Sequence, residues 1–397
     1  MDTSTQLVIL PSHPASSVSD VRVSPEQMLF DLPLIRRSVL SAVRADIDRV
    51  MVVTHEPAEM KRILDGTPTT VVSAHEPITL NPGRVLLLAT HVLLDSHWLM
   101  KLVSMLLEPE QLCKDGDLAA VMDLEKPKTI DPKEASPHSA QGLFKTLGQE
   151  FKTDTLSQDP KGRYVLASPS DIRLAEDWLI QRLVKETESF MARHFERKIS
   201  LAISRRLVST SITPNAITLF SLGIGFLCAP FFLSTQVTYQ VIGAILFVCH
   251  AVIDGCDGEL ARLKFQESRW GMILDLWGDN VVHVAVFSCM GIGWSLTAQA
   301  TWPLLVAGMA IVGTLGAAWV VYRQTVRWTS KGIPAFTSVV QSRTSAMSRI
   351  MDGLGNRDFI YLVLFLAAFG KAHWFLPLVA IGSPIFSLVL LYLSRKE

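Results

Sequence analysis

The sequence lacks the cysteine spacing and the concentrated positive charge of a zinc protein or a nucleic-acid-binding protein. Its five cysteines include no CxxC pair and no Cys/His ligand pattern, so no zinc site is predicted. Lysine and arginine together number 37, as do aspartate and glutamate, and the formal net charge is zero. Binding to nucleic acid needs a basic face, so no nucleic-acid partner is expected.

The first residues do not show the pattern of a secretory signal peptide. Residues 1–5 are mostly polar, and the apolar run at residues 7–10 ends at Pro11, so we expect none. Apolar residues, in contrast, are abundant: they make up 49% of the chain, and the mean hydropathy is +0.31. A chain this long and this apolar is expected to combine a soluble part with a membrane part.

Residues 1–193 are predicted to form a soluble α/β domain. Short β-prone runs at residues 7–10, 49–54 and 84–88 alternate with helical patterns, as in an α/β sheet. Part of the segment between residues 108 and 152 is rich in Lys, Asp, Pro and Ser, and we expect a surface excursion there. Residues 194–210 are predicted to form an amphipathic helix at the membrane surface, with its arginines at the level of the lipid headgroups.

Residues 211–397 are predicted to form an all-α bundle with six membrane spans. Several apolar runs approach the ~20 residues that cross a bilayer. The runs lie at residues 216–234, 239–253, 281–299, 302–322, 359–370 and 374–393. The fifth run is short, and the second and third reach full length only with their aspartate-bearing ends. The sequence therefore predicts a multi-pass integral membrane protein.

The charges of the connecting segments predict the orientation of the spans. Residues 235–238 and 300–301 contain no Lys or Arg, and the connection at Lys371 contains one basic residue. Nearly all other basic residues of the membrane part lie in the alternate connections. By the positive-inside rule, both termini, the soluble domain and the active site are predicted to be cytoplasmic.

Four aspartates in the second and third predicted spans carry the strongest chemical signal. From residue 254 to residue 279 the pattern is D-x-x-D-G-x-x-A-R, eight residues, then G-x-x-x-D-x-x-x-D. Each pair of aspartates falls on one face of a helix, and two helices joined by a short turn aim all four into one space. The aspartates are Asp254, Asp257, Asp275 and Asp279.

Four carboxylates in membrane helices require compensation, because each costs about 2.5 to 3.5 kcal/mol on the lenient insertion scale. Oxygen ligands at this density suit Mg²⁺ or Mn²⁺, and two such ions would neutralise a diphosphate. Gly258 and Gly271 allow a substrate to approach the backbone, and Arg262 is suited to bidentate contact with phosphate. The alternatives are a polar network that joins helices and an ion path in a membrane transporter of ions or solutes.

This pattern resembles the CDP-alcohol phosphotransferase (CDP-alcohol phosphatidyltransferase) family at every fixed position, and Thr213-Pro214-Asn215 resembles the start of that family's first span. The resemblance implies a transferase that moves a phosphoalcohol group, such as a phosphatidyl group in phospholipid biosynthesis, to an acceptor hydroxyl and releases CMP. It also implies a homodimer and Asp279 as the general base. Metal binding is implied for Asp254, Asp257, Asp275 and Asp279, and CDP binding for Thr213, Pro214, Asn215, Gly258, Ala261, Arg262 and Gly271.

The sequence does not identify which CDP-alcohol is the donor or which hydroxyl is the acceptor, because the motif recognises only the part common to all donors. Both diacylglycerol-based donors and soluble polyol donors fit. Basic residues between the fourth and fifth spans are candidates for binding an anionic acceptor, and contact with anionic headgroups is the alternative for each. These residues are Arg323, Arg327, Arg343, Arg349 and Arg357.

The soluble domain resembles nucleotidyltransferases, through residues 7–10 and 32–54. Enzymes of that type follow the first strand with a glycine-rich phosphate loop, whereas this chain has no glycine before Gly66. They also place a metal-binding aspartate after a central strand, where this chain reads Thr90-His91. These two departures predict a catalytically inactive domain that serves assembly, regulation or acceptor handling. The alternative is a bifunctional protein that makes CDP-inositol and joins it to inositol phosphate, forming an inositol-type phosphodiester.

Overall fold

A computed structural model of the chain shows two compact units, residues 1–182 and 183–397, here called the first and second units. The predicted domain limits at 193 and 210 stay predictions. The structure describes residues 4–11, 23–108, 111–130, 140–156, 162–184, 188–330 and 358–394.

The first unit has the predicted α/β architecture, built on a seven-stranded sheet. Its strands are β1 (Thr5–Leu10), β4 (Arg49–Thr54), β5 (Thr69–Ser73), β7 (Gly83–Ala89), β9 (Gln111–Asp115), β10 (Ala119–Leu124) and β12 (Lys152–Thr155). Three two-stranded sheets pair β2 (Met28–Leu29) with β3 (Leu32–Pro33), β6 (Ile78–Leu80) with β11 (Lys128–Ile130), and β8 (Val92–Leu94) with β13 (Arg163–Val165). Its helices are α1 (Leu34–Arg44), α2 (Pro57–Ile63), α3 (Ser96–Val103), α4 (Ala140–Glu150) and α5 (Ile172–Gln181).

The large sheet follows the order β12-β9-β10-β7-β1-β4-β5. Strand β1 lies parallel to both β4 and β7, and all six of its residues are buried. Continuous apolar runs of this kind belong to strands covered on both faces. Strands β9 and β10 lie in the segment that was expected to be partly a surface excursion, and they belong to the sheet and its core, because Leu112 and Val121 are fully buried.

The second unit is helical. After a single π-helical turn (Ala192–Glu196), its helices are α6 (Arg197–Leu207), α7 (Pro214–Cys228), α8 (Val237–Lys264), α9 (Arg269–Ala298), α10 (Trp302–Ser330), α11 (Phe359–Ala367) and α12 (Phe375–Ser394). Short 3-10 turns extend α7 over Ala229–Leu233 and precede α12 over Ala372–Trp374. Large apolar side chains point outward from these helices, among them Phe220, Leu305 and Val312. Outward apolar side chains along such helices are expected where lipid is the solvent.

Among the described residues, five helical segments are long and apolar enough to cross a membrane: Pro214–Leu233, Val237–Lys264, Arg269–Ala298, Trp302–Arg323 and Ala372–Tyr392. The sixth predicted span, at residues 359–370, is not confirmed. Helix α11 has nine residues, and Gly370 follows in a left-handed conformation with φ of 67°. Nine helical residues span about 14 Å, which is less than half of the ~30 Å hydrocarbon layer.

Helix α6 occupies the predicted amphipathic segment, and its inward face is polar. The buried residues of α6 are Ser200 and Ser204, whereas Ile199 is exposed. The helix therefore packs through small polar side chains and turns apolar side chains outward.

Candidate active site

Helix α7 begins at the predicted Thr213-Pro214-Asn215 segment. The Thr213 hydroxyl oxygen accepts a hydrogen bond from the Ala216 backbone N–H at 3.3 Å, and Pro214 occupies the first helical position. Both are preferred choices at a helix start. This cap fixes Asn215, whose Oδ1 lies 2.9 Å from the position that a Cβ on Gly271 would take.

A tight turn brings the end of α8 and the start of α9 together. Phe265 ends α8 in a left-handed conformation with φ of 55°. Ser268 then caps α9, and its hydroxyl accepts a hydrogen bond from the Gly271 N–H at 2.9 Å. The two aspartate-bearing helix ends are consequently neighbours, as the sequence predicts.

Three of the four predicted aspartates form one cluster. Asp254, Asp257 and Asp275 each offer a carboxylate oxygen, and these oxygens all lie within 4.8 Å of one another. Asp254 and Asp257 are buried. The Thr218 hydroxyl donates a hydrogen bond to Asp257, and Ser221 Oγ lies 3.4 Å from Asp254 Oδ1. Like charges this close and this buried call for a cation, and carboxylate oxygens fit Mg²⁺ or Mn²⁺.

Asp279 lies one helical turn beyond Asp275 and is outside this group of three among the described residues. Its Oδ1 lies 3.6 Å from Nε2 of the buried His250. Nδ1 of His250 donates to the Ser221 carbonyl oxygen at 2.9 Å. The carboxylate of Asp279 thus faces a ring that is held by the helix carrying Thr218 and Ser221. Its roles as metal ligand and base stay predictions.

A first cavity of about 200 Å³ lies on one side of the aspartate cluster. Its walls include six of the seven residues predicted to bind CDP, namely Pro214, Asn215, Gly258, Ala261, Arg262 and Gly271. Thr213 caps α7 and is not among the lining residues. The geometry brings these predicted residues together, and their contact with CDP stays a prediction.

A second cavity of about 330 Å³ lies on the side of α6. It shares Asp257, Gly258, Arg262 and Asp275 with the first cavity, so the aspartates border both. Residues that the sequence pattern did not single out complete its wall. They include Glu188, Ser189, Glu196, Arg197, Ser200 and Asp358.

Arg197 and Glu259 are the charged pair that sequence reasoning missed. Nη1 of Arg197 donates to Glu259 Oε1 at 2.6 Å, and Nε donates to Glu188 Oε1 at 3.0 Å. Burial alone would lower the pKa of Arg197, but the charges of Glu259 and Glu188 outweigh it and raise that pKa above its usual value. The available signal was an acid at a variable motif position inside an apolar span, because such a charge requires a partner.

The candidate acceptor arginines are only partly described. Arg323 is exposed near the end of α10. Arg327 lies in the same helix, and its side chain is outside the described residues, as are Arg343, Arg349 and Arg357. Their binding of an acceptor stays a prediction.

Comparison with protein families and curated proteins agrees with this geometry. Residues 211–368 match the family model described as CDP-alcohol phosphatidyltransferase. A bifunctional IPC transferase and DIPP synthase of Thermococcus kodakarensis is 28% identical over 280 residues, which are 70% of this chain and 61% of that protein. The chain thus spans less than two thirds of the length of this relative. The aligned stretch is longer than the second unit, so it extends into the first unit.

Two solved structures are similar to parts of this chain. Phosphatidylinositol phosphate synthase of Mycobacterium tuberculosis with CDP-DAG bound matches at a TM-score of 0.35 and 18% identity, over 49% of this chain and 92% of that chain. A nucleotidyl transferase of Methanothermobacter thermautotroptrophicus matches at a TM-score of 0.32 and 13% identity, over 46% of this chain and 100% of that chain. The family match and the five candidate spans make this chain an integral membrane protein.

Proposed function

We propose, from the match of residues 211–368 to the CDP-alcohol phosphatidyltransferase family model, that this chain transfers a phosphoalcohol group from a CDP-alcohol to an acceptor hydroxyl and releases CMP. The observation that carries the proposal is the convergence of Asp254, Asp257 and Asp275 within 4.8 Å, between two cavities. A polar network that only joins helices does not need three carboxylates facing one another. A diphosphate site that works through divalent cations does.

Two Mg²⁺ or Mn²⁺ ions would be held by Asp254, Asp257 and Asp275, with Asp279 beside them. When bound, they supply positive charge that neutralises the donor diphosphate. Arg262 lines both cavities and is suited to contact the same diphosphate. The first cavity, with Asn215 and Gly271 in its wall, is the proposed site of the CMP part.

The transfer follows from this placement. The acceptor oxygen forms a bond to the phosphorus that carries the alcohol, and the bond from that phosphorus to the CMP oxygen breaks. Asp279 takes the proton of the acceptor hydroxyl, and Nε2 of His250 lies 3.6 Å from its carboxylate. CMP leaves with the electron pair of the broken bond.

Replacing Asp275 by asparagine tests this proposal. The purified full chain, supplied with CDP-diacylglycerol, Mn²⁺ and a panel of hydroxyl acceptors, is expected to release CMP. Asp275→Asn is expected to lower that release at least a hundredfold, while Asp117→Asn, at an exposed turn of the first unit, leaves it unchanged. Equal CMP release by the two variants would overturn the proposed role of Asp275. Solute flux without CMP formation would identify the transporter alternative.

We also propose that both termini and the active site face the cytoplasm, which requires residues 359–370 to cross the membrane as the sixth span, and that the chain is a homodimer. The lack of basic residues at positions 235–238 and 300–301 supports the orientation. A cysteine introduced at the exposed Thr301 is expected to react with a membrane-impermeant maleimide added outside intact cells. Labelling only after cell lysis would show that Thr301 faces the cytoplasm and that the orientation is opposite to the proposed one. Light scattering of the purified protein measures the oligomeric state.

A second candidate function is favoured by the extension of the Thermococcus alignment into the first unit. A bifunctional chain would also make its own CDP-alcohol from CTP. Against this, β1 leads into Pro11 rather than a glycine, and β7 leads into the buried Thr90 and His91 rather than an aspartate. We therefore propose that the first unit is inactive. Pyrophosphate released from CTP and inositol phosphate by the full chain would establish the bifunctional alternative instead.

A further inference from the structure

Arg197 reaches the second cavity from α6 with part of its hydrogen-bonding capacity unused. Two of its three guanidinium nitrogens are engaged, Nε with Glu188 and Nη1 with Glu259. The third, Nη2, makes no hydrogen bond to any described residue. The side chain is 20% exposed, and Arg197 lines the cavity together with Asp254 and Arg262.

The partners of Arg197 hold its side chain in one position. Glu259 is fully buried and accepts hydrogen bonds from Ser200 Oγ at 2.6 Å and Ser204 Oγ at 2.7 Å, besides that from Arg197. Three donors from one face of α6 thus surround this carboxylate. A guanidinium fixed at two nitrogens offers its third to a ligand at little further cost in side-chain entropy.

Gly255 lines the second cavity beside Arg197 and Asp254. Nη1 of Arg197 lies 3.5 Å from the position that a Cβ on Gly255 would take. Gly255 follows Asp254 directly, so the arginine and the aspartate cluster border one cavity. Cations held by the aspartates and the free end of an arginine would face the same ligand from two sides.

We propose that Arg197 is a substrate-binding residue that donates hydrogen bonds from Nη2 to a phosphate oxygen in the second cavity, and that Glu259 is its positioning residue. The inference rests on the proposed function and adds a binding residue outside the family pattern. The phosphate has two sources: the group being transferred from the donor, or a phosphate on the acceptor. Planar N–H groups of arginine match phosphate oxygens in either case.

Kinetics of Arg197→Gln in the full chain test the proposal. Lys198→Gln is the matched control, because it removes the same charge from the next, exposed position of α6. The assay uses CDP-diacylglycerol with inositol 1-phosphate or glycerol 3-phosphate, and with inositol or glycerol as unphosphorylated counterparts. Arg197→Gln is expected to raise one KM at least tenfold, which equals about 1.4 kcal/mol. Lys198→Gln is expected to stay within twofold of the parent chain.

The substrate whose KM rises identifies the source of the phosphate. If the acceptor supplies it, the effect occurs with the phosphorylated acceptors and is lost with inositol and glycerol. If the donor supplies it, the KM for CDP-diacylglycerol rises with every acceptor. Unchanged KM values for both substrates, in an Arg197→Gln protein with the parent's thermal unfolding temperature, would overturn the proposal.

Two further variants keep the proposal testable if Arg197→Gln folds poorly. Arg197→Lys preserves the charge without the planar fork, and we expect a smaller rise in the same KM. Glu259→Gln is expected to raise that KM a few-fold, and the double variant Arg197→Gln/Glu259→Gln no further than Arg197→Gln alone. A purely structural Glu259 would instead add its effect to that of Arg197→Gln.

Equilibrium binding separates this inference from the proposed function. If the parent chain releases no CMP with any donor, the proposed function fails, and inorganic phosphate becomes the probe in isothermal titration calorimetry of the detergent-solubilised full chain. Weaker phosphate binding by Arg197→Gln than by Lys198→Gln supports the phosphate site. Equal binding by both variants overturns it.

Discussion

The paired carboxylates of the first unit contrast with the aspartate cluster of the second unit, which also contains paired carboxylates, Glu188 and Glu259 with Arg197. In the first unit, Asp115 pairs with Arg163, and Asp123 pairs with Arg84. In the second unit, three carboxylates face one another across 4.8 Å or less. A carboxylate paired with an arginine is neutralised within the fold, whereas converging carboxylates are stabilised by a cation from outside. Convergence of buried carboxylates thus marks a site for chemistry. Glu26, Glu56 and Glu59 of the first unit converge as closely, but Glu56 and Glu59 are exposed to water.

Removal of divalent metal is expected to have the largest effect, and the affected quantity is CMP release by the second unit. Dialysis of the full chain against a chelator is expected to lower CMP release at least a hundredfold, and addition of Mn²⁺ or Mg²⁺ to restore it. The physical reason is the mutual repulsion of Asp254, Asp257 and Asp275 without cations. The unfolding temperature of the first unit, in which Asp115 and Asp123 are paired with arginines, should not change. CMP release that survives complete chelation would contradict the metal role.

A methyl group added at Gly271 is expected to have an intermediate effect, on the KM for the CDP-alcohol. A Cβ there would lie 2.9 Å from Asn215 Oδ1 and 3.0 Å from Ser268 Oγ, so the wall of the first cavity has to shift. Gly271→Ala is expected to raise the KM for the CDP-alcohol about tenfold, or about 1.4 kcal/mol. Gly223→Ala is the control, because a Cβ on Gly223 meets nothing within 4 Å. Equal donor KM values for the two variants would separate Gly271 from CDP binding.

The smallest expected effect is on the stability of the first unit and comes from Asp95. Burial alone would raise the pKa of Asp95, but hydrogen bonds from His97 and Arg182 and the charge of Arg182 lower that pKa to about 2. The folded state therefore binds the proton less readily than the unfolded chain, whose aspartates titrate near ~3.9. The resulting stabilisation, roughly 1 to 2 kcal/mol, is present above about pH 4 and is lost as the pH falls through 2.

Asp95→Asn is expected to remove this contribution at pH 7 and to keep the helix cap, since asparagine caps helices as well as aspartate does. Thermal unfolding of the first unit in the full chain at pH 7 and pH 3 measures the change. Asp65→Asn, at an exposed position with no side-chain partner among the described residues, is the control. An unchanged unfolding temperature in Asp95→Asn would show that the pair with Arg182 contributes nothing.

The aspartate cluster was predictable from the sequence because helical periodicity alone determines which residues share a face. Asp254 and Asp257 are three residues apart, and a tight turn joins their helix to that of Asp275. Glu259 was not predicted, because a residue two positions after Asp257 points about 200° away from it around the helix. Its partner Arg197 lies 62 residues earlier. No local spacing connects residues that far apart in the chain.

The architecture was also predictable in part. Alternating apolar runs predicted the α/β first unit, and run length predicted five segments that are helices long and apolar enough to cross a membrane. The sixth was not confirmed, because hydropathy measures how apolar a run is and not where its helix ends. Strands β9 and β10 were not predicted, since their surroundings are polar while their own residues pack into the core.

Helices α8 and α9 are longer than the hydrocarbon layer of a membrane is thick. With 28 and 30 residues, these helices measure about 42 and 45 Å, and the hydrocarbon layer is ~30 Å thick. The surplus of roughly eight to ten residues per helix corresponds to the last residues of α8 from Asp257 onward and to the first residues of α9 up to Gly278. In the proposed function, Asp257 and Asp275 then lie at the boundary between lipid and water, a depth that a water-soluble nucleotide and a lipid-soluble alcohol can both reach.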